Sequence, residues 1–375
     1  MNDRRYDIDY IRVIAFGILI IYHVAVFFEP GNWHIKNNVT YRDIVFPMIF
    51  INQWRLPLLF VVSGMGTYFA LGKRSGKQYV GERLRRLLLP FIIGVVFIVP
   101  PQVYIERISQ GVDYGGYFNF WPVQFFNGIY PEGNFSWHHL WFILYLLIFS
   151  LVCLPLFLKL RKNKESAFYL KIKKIIGSFW GILFLALPLL LWRMLLSGSF
   201  PATNALAGDW FNLLNYSTFF VLGYLLVSSG EAFWNTVKKY RLTFLVLGTA
   251  AYSLLIYLWF GGFQRSALFD LANDIIQTLN TWIWILCVFG MAAQYLNKSG
   301  KYLSYANEAV YPFYILHQTV IVILGYYMKD WDAFFFIKFP AMVLLTFIIT
   351  WVLYEYGIRR YKIIRPLFGL KNLKK

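Results

Sequence analysis

Runs of mostly apolar residues, each about as long as a bilayer is thick, follow one another along almost the whole chain. No other feature constrains the fold as much. A hydrocarbon core about 30 Å across takes roughly 20 residues of helix. Ten runs reach that length, at 8–28, 45–71, 87–105, 138–158, 175–196, 210–228, 242–260, 275–296, 309–328 and 333–356. In lipid the backbone N–H and C=O groups must find partners within the segment, so such runs read as helices. Of the 375 residues 59% are apolar, 21% aromatic and only 14% charged, against about 25% charged in soluble domains. That is more apolar surface than a soluble globule can bury, and it excludes disorder. The expected fold is an all-α integral membrane protein of ten transmembrane helices. It forms a single domain over 1–375, with no internal repeat or flexible linker. Cys153 and Cys287 both fall inside spans, so no exported disulfide framework is expected.

Charge sets the orientation. The chain carries 36 Lys and Arg against 18 Asp and Glu, a net charge of +18. In a soluble protein that excess would suggest nucleic acid. Here 27 of the bases lie in the N-terminal stretch, the connections 72–86, 159–174, 229–241 and 297–308, and the C-terminal tail. The other five connections together with the adjoining Arg193 hold six, and the remaining three lie inside spans. The positive-inside rule then places both termini in the cytoplasm of a multi-pass protein of the inner, cytoplasmic membrane. The bases flank spans and do not interleave along a groove, so nucleic acid is not an expected partner. The first span lacks a small-x-small cleavage site and carries polar residues, so it is not a removed signal. The second span is interrupted by Asn52, Gln53, Arg55 and Pro57, and the third closes on Pro100-Pro101. Both are expected to be interior helices, where protein satisfies the freed backbone groups.

Ionisable residues within the bilayer are site candidates because a charge there is costly. Arg12 and His23 share the first span. Eleven residues at 100° each end about 20° past three full turns, so the two project from one face, roughly 16–17 Å apart along the axis. Such a face suits an elongated anionic ligand; the plainer reading has Arg12 snorkelling and His23 capping a backbone carbonyl. In Phe60-Val61-Val62-Ser63-Gly64, the small pair Ser63 and Gly64 permits close approach of a ligand or of another helix. Glu82-Arg83-Leu84-Arg85-Arg86 follows, with Arg83 and Arg86 at a spacing that shares a helical face. Their planar guanidinium groups are suited to phosphate. His138-His139-Leu140-Trp141-Phe142 opens the fourth span. His317 lies in Tyr314-Ile315-Leu316-His317, about eight residues into the ninth span and shallower than His23, so its position implies no contact between the two. Glu355 has Arg359 four residues on, an ordinary helix pair. No phosphate-binding loop, dinucleotide fingerprint or serine-hydrolase elbow occurs. The His and Cys residues lack zinc spacing, so no metal is expected.

Taken in order, five of these elements resemble the membrane acyltransferase-3 family. They are the R-x10-H of Arg12 and His23, the F-x-x-S-G of Phe60 to Gly64, the R-x-x-R of Arg83 and Arg86, the H-L-W-F of His139 to Phe142, and the Y-x-x-H of Tyr314 to His317. Ten spans with inward termini agree, so the resemblance covers essentially the whole chain. Asn32-Trp33-His34, Trp54-Arg55 and Arg365-Pro366-Leu367-Phe368-Gly369 are similar to a branch that acts on periplasmic glucans. The resemblance implies transfer of an acetyl- or succinyl-class group from cytoplasmic acyl-CoA to a hydroxyl of an envelope carbohydrate. It makes His23 the general base or the carrier of a transient acyl group, with Arg12 as a catalytic partner that holds donor charge or orients the site. It gives Ser63, Gly64, Arg83 and Arg86 to the acyl-CoA path, and adds Arg55, His139, Trp141, His317 and Glu355 as further candidates. Acyl-CoA is then a co-substrate, and no bound cofactor is implied. Two other functions fit a polar-faced helix bundle: a transporter or exporter of glycans, and a scaffold. The transporter lacks support from any matched pair of broken helices in two halves. The scaffold would be better served by a first span without Arg12 and His23.

Overall fold

The computed structural model describes residues 4–163 and 165–372. Among these residues no β-strand forms; a single bridge joins Ile129 and Phe135 in the longest connection. Nine helices are long and apolar enough to cross a bilayer, and a helix pair bent by 46° makes a tenth. In chain order they are α1 (Tyr6–Phe28), α2 (Val45–Gly72), α3 (Gly76–Ser109), the bent α4 (His138–Val152 with Leu154–Lys162), α5 (Phe179–Leu196) and α6 (Trp210–Ser228), followed by α7 (Arg241–Phe260), α8 (Ala267–Tyr295), α9 (Leu303–Met328) and α10 (Phe335–Ile358). Every apolar run of the sequence has become a helix.

Several helices extend further than hydropathy marks. α3 passes through Pro100-Pro101 and ends nine residues later at Ser109. The backbone widens into π-turns at Leu84–Leu88 and, just before the prolines, at Gly94–Ile98. Pro100 then occupies the first turn of a fresh helical segment, where a missing N–H costs nothing. α8 begins at Ala267, inside the stretch expected to be a connection. Ser266 caps it by accepting from Phe269 N at 3.1 Å, and Asp270 complements the positive end of the helix. α9 starts at Leu303 because polar Ser304, Asn307 and Glu308 continue the helix beyond its apolar part.

α2 and α3, expected to be interior helices, are more enclosed than α5, α7 and α10, whose most apolar stretches are 17%, 17% and 22% buried, but they are not the most enclosed. Buried residues make up 67% of the most apolar stretch of α9 and 61% of that of α8, but 44% for α2 and for α3. The reason is polarity on α8 and α9 that hydropathy averages away: Thr278, Asn280 and Thr281 on one, His317, Gln318 and Thr319 on the other, all buried.

The chain gathers into two compact units. One comprises Met1–Ala15, Phe50–Val80 and Ile148–Leu303, the other Phe16–Ile49, Gly81–Leu147 and Ser304–Lys375. Within the first, α2 and α6 cross so closely that a Cβ on Gly64 would run into the Phe220 carbonyl, and one on Gly223 into the Val61 carbonyl. Small residues at a crossing let backbones approach where lipid supplies no hydrophobic drive. The second unit has a core of Val24, Phe27, Phe28, Ile105, Ile321, Val322 and Met342. Its long connection is tied down by Arg107, whose guanidinium donates to the carbonyls of Pro131 and Gly133 at 2.6 Å and to Asn134 Oδ1 at 3.1 Å.

Candidate functional site

All five histidines of the chain lie in the second unit, brought there by the end of α1, the loop after it, the start of α4 and the middle of α9. They form two hydrogen-bonded groups. In the first, His317 Nδ1 lies 2.7 Å from the Tyr314 carbonyl oxygen and Nε2 lies 3.0 Å from His23 Nδ1. A carbonyl only accepts, so Nδ1 of His317 carries the proton and, in the neutral ring, Nε2 is a lone pair. Facing that lone pair, His23 Nδ1 must donate. The neutral His23 ring then carries its own lone pair at Nε2. One backbone carbonyl thus fixes the proton on two rings in succession. The shallow position of His317 in sequence implied no such contact. Depth counted separately along two helices does not predict where they meet.

His139 completes this group. Its Nε2 lies 3.0 Å from the Ile315 carbonyl, its ring centroid is 5.2 Å from that of His317, and its own carbonyl accepts from the Tyr314 hydroxyl. His139 is buried and His317 fully so. His139, at the start of α4, is therefore packed against α9.

The second group is the one sequence reasoning missed. His34 Nδ1 lies 2.6 Å from Glu106 Oε2, and His34 Nε2 lies 3.0 Å from His138 Nδ1 and 3.2 Å from Gln318 Nε2. Tyr130 donates to Glu106 Oε1 at 2.9 Å. Burial, and after it the Glu106 charge, pushes the Tyr130 phenol up to about 12, so this donor keeps its proton at neutral pH. Reading Pro100-Pro101 as a helix end leaves Glu106 in the connection that follows the third span. Once α3 is known to continue, Gln102 and Glu106 fall on one face at i and i+4, and that spacing was the available signal. The ligand-type atoms of His34, Glu106 and His138 all lie within 4.8 Å of one another.

Arg12 pairs with Asp9 at 3.4 Å. Arg83 and Arg86 both pair with Glu82, at 3.6 and 3.4 Å, and Arg86 also donates to the Gly369 carbonyl at 3.1 Å. Ser63 turns its hydroxyl back onto the Leu59 carbonyl at 2.7 Å, and Gly64 serves the α2–α6 crossing. Arg55 is buried to 2% exposure. Trp141 packs edge-on against Tyr145, with ring centroids 5.1 Å apart. Glu355 accepts from the Tyr305 hydroxyl at 2.9 Å and pairs with Arg359 at 3.1 Å, the helix pair its spacing suggested.

Comparison with known proteins supplies the family. A family model described as an acyltransferase domain, the acyltransferase-3 type, matches residues 5–355. Among curated relatives, glucans biosynthesis protein C of Salmonella heidelberg (strain SL476) is 22% identical over 371 residues, covering 95% of this chain and 92% of the relative. The protein of that name from Salmonella schwarzengrund (strain CVM19633) is 23% identical over the same length and shares, and the one from Salmonella typhi 22%. A family match over nearly the entire sequence, on a chain built of long apolar helices, makes this multi-pass membrane protein a member of the acyltransferase-3 family and an acyl-transferring enzyme.

Proposed function

We propose that the protein moves an acetyl- or succinyl-class group from acyl-CoA on the cytoplasmic side to a hydroxyl of an envelope glucan or similar carbohydrate, with His23 as general base. The observation that carries this is the proton placement running from the Tyr314 carbonyl through His317 to His23. It leaves His23 Nε2 as a basic nitrogen of defined orientation. In this reading the acceptor hydroxyl gives its proton to Nε2 as its oxygen attacks the thioester carbonyl. The imidazolium keeps Nδ1–H on His317 and returns the new proton to the departing thiolate of CoA. The arrangement resembles that of an oriented catalytic histidine, with a neutral imidazole in place of a carboxylate.

Arg12, Arg83 and Arg86 are assigned to the charges of the donor, and Ser63 to its acyl path. In the pairs with Asp9 and Glu82, Arg12 is 29% and Arg86 41% exposed, and exposed ion pairs are worth about 0–1 kcal/mol, little enough for a phosphate to displace. Acyl-CoA enters as a co-substrate. The carbohydrate acceptor is supported by the names of the relatives, and the inner-membrane location and inward termini by the distribution of basic residues. The test is CoA release by purified protein given acetyl- or succinyl-CoA. His23→Ala is expected to lower turnover by about 10²- to 10⁴-fold while expression and thermal midpoint hold. Full turnover by a folded His23→Ala protein would remove His23 from the chemistry.

A further inference from the structure

The proton arrangement of the second histidine group can be read from a single backbone carbonyl. Thr319 Oγ1 donates to the Ile98 carbonyl at 2.6 Å, so it accepts from Gln102 Nε2 at 2.7 Å. That orientation turns Gln102 Oε1 toward Gln318, whose Nε2 must donate to it at 3.1 Å. The same Gln318 amide nitrogen faces His34 Nε2, which therefore accepts. His34 then carries its proton on Nδ1, held by the Glu106 carboxylate. His138 Nδ1 lies 3.0 Å from the same His34 nitrogen, where a second lone pair would repel, so it donates as well and shares the one His34 lone pair with Gln318; the neutral His138 ring then has its lone pair on Nε2. Among the described residues that Nε2 is buried with no hydrogen-bond partner, and so is Nδ1 of His139. The carbonyl of Ile315 forces His139 Nδ1 to be a lone pair as well.

Two consecutive residues thus bury ring acceptors that lack donors, at a cost of about 1–3 kcal/mol each. The backbone of His138 is also held at φ +39°, a region uncommon for residues other than glycine. Strain and unsatisfied polarity together are expected where a ligand completes the structure. Both ring nitrogens are complementary to the same thing, a donor. An acyl chain has none, and a phosphate at neutral pH offers chiefly acceptors. A polyol has several.

We propose that His138 Nε2 and His139 Nδ1 form a hydroxyl-binding subsite for the carbohydrate acceptor, with Glu106 and His34 as positioning residues that hold the His138 lone pair in place. This rests on the reading of the acceptor as a carbohydrate. The His139 half of the subsite adjoins His317 and through it His23, the base of that reading.

Only five histidines need assigning, so the test is nitrogen NMR of full-length protein labelled with 15N-histidine, titrated with a short linear oligoglucose and no acyl donor. The expected result is unprotonated-type signals for His138 Nε2 and His139 Nδ1 at neutral pH, both moving as oligoglucose is added. In Glu106→Gln the half-saturating concentration should rise about tenfold, and in turnover assays the loss should fall on KM for the acceptor more than on kcat. Signals that stay still at saturating oligoglucose, while acyl transfer to it proceeds, would overturn the subsite and leave the proposed function standing. A divalent metal copurifying at one per chain and broadening the His34 and His138 signals would also overturn it, by showing that these atoms are ligands. Oligoglucose shifts without any acyl transfer would support the subsite and count against the transferase reading.

Discussion

At the scale of single residues, His317 has no proton to spare for chemistry, because its Nδ1–H is committed to the Tyr314 carbonyl. What it contributes is direction: it keeps His23 in one tautomer and one orientation. If His23 is the base as proposed, His317→Ala should retain it and lose its alignment. Turnover is expected to drop by about tenfold or more, less than for His23→Ala, with the thermal midpoint nearly kept. CoA-release kinetics alongside a melting curve check this. A loss as large as that of His23→Ala would give His317 the chemistry, and no loss would separate it from the site. The individual residues were largely legible in the sequence, since an imidazole or a guanidinium inside an apolar run stands out by its cost. Their partnerships were not. Whether His317 meets His23, or Glu106 meets His34, depends on how helices cross, and periodicity along one helix is silent on that.

Among the helices, the informative disagreements concern where helices stop and which are enclosed. Pro100-Pro101 reads as a terminator by propensity, yet it sits where π-turns have already loosened the ladder, so α3 continues and delivers Gln102 and Glu106 to the second histidine group. Averaged hydropathy located all ten helices and failed to rank their burial, because a few buried polar side chains on α8 and α9 lower the average of the most enclosed helices. Gly64 belongs at this scale too. Its lack of a side chain lets α2 lie against the Phe220 carbonyl of α6. Gly64→Ala should force the two helices apart and destabilise the protein by about 1–3 kcal/mol, seen as a lower thermal midpoint in detergent, whereas Gly17→Ala, with open space around it, should change little. Equal midpoints for the two variants would contradict the close crossing.

For the whole molecule, the positive-inside rule reads the net charge of +18 mainly as a mark of the connections that face the cytoplasm, and the proposed reaction needs both faces. In that proposal the anionic donor belongs with the basic connections and the acceptor with the envelope. A glycan exporter of the same architecture would carry its substrate across unchanged, so the product discriminates. Purified full-length protein in liposomes, with glucan and radiolabelled succinyl- or acetyl-CoA supplied on opposite sides, gives the most direct test. The label should appear in the glucan as an alkali-labile ester, with one CoA released for each ester formed. Glucan that crosses the bilayer without label, while the acyl-CoA stays intact, would contradict acyl transfer as the function of these residues.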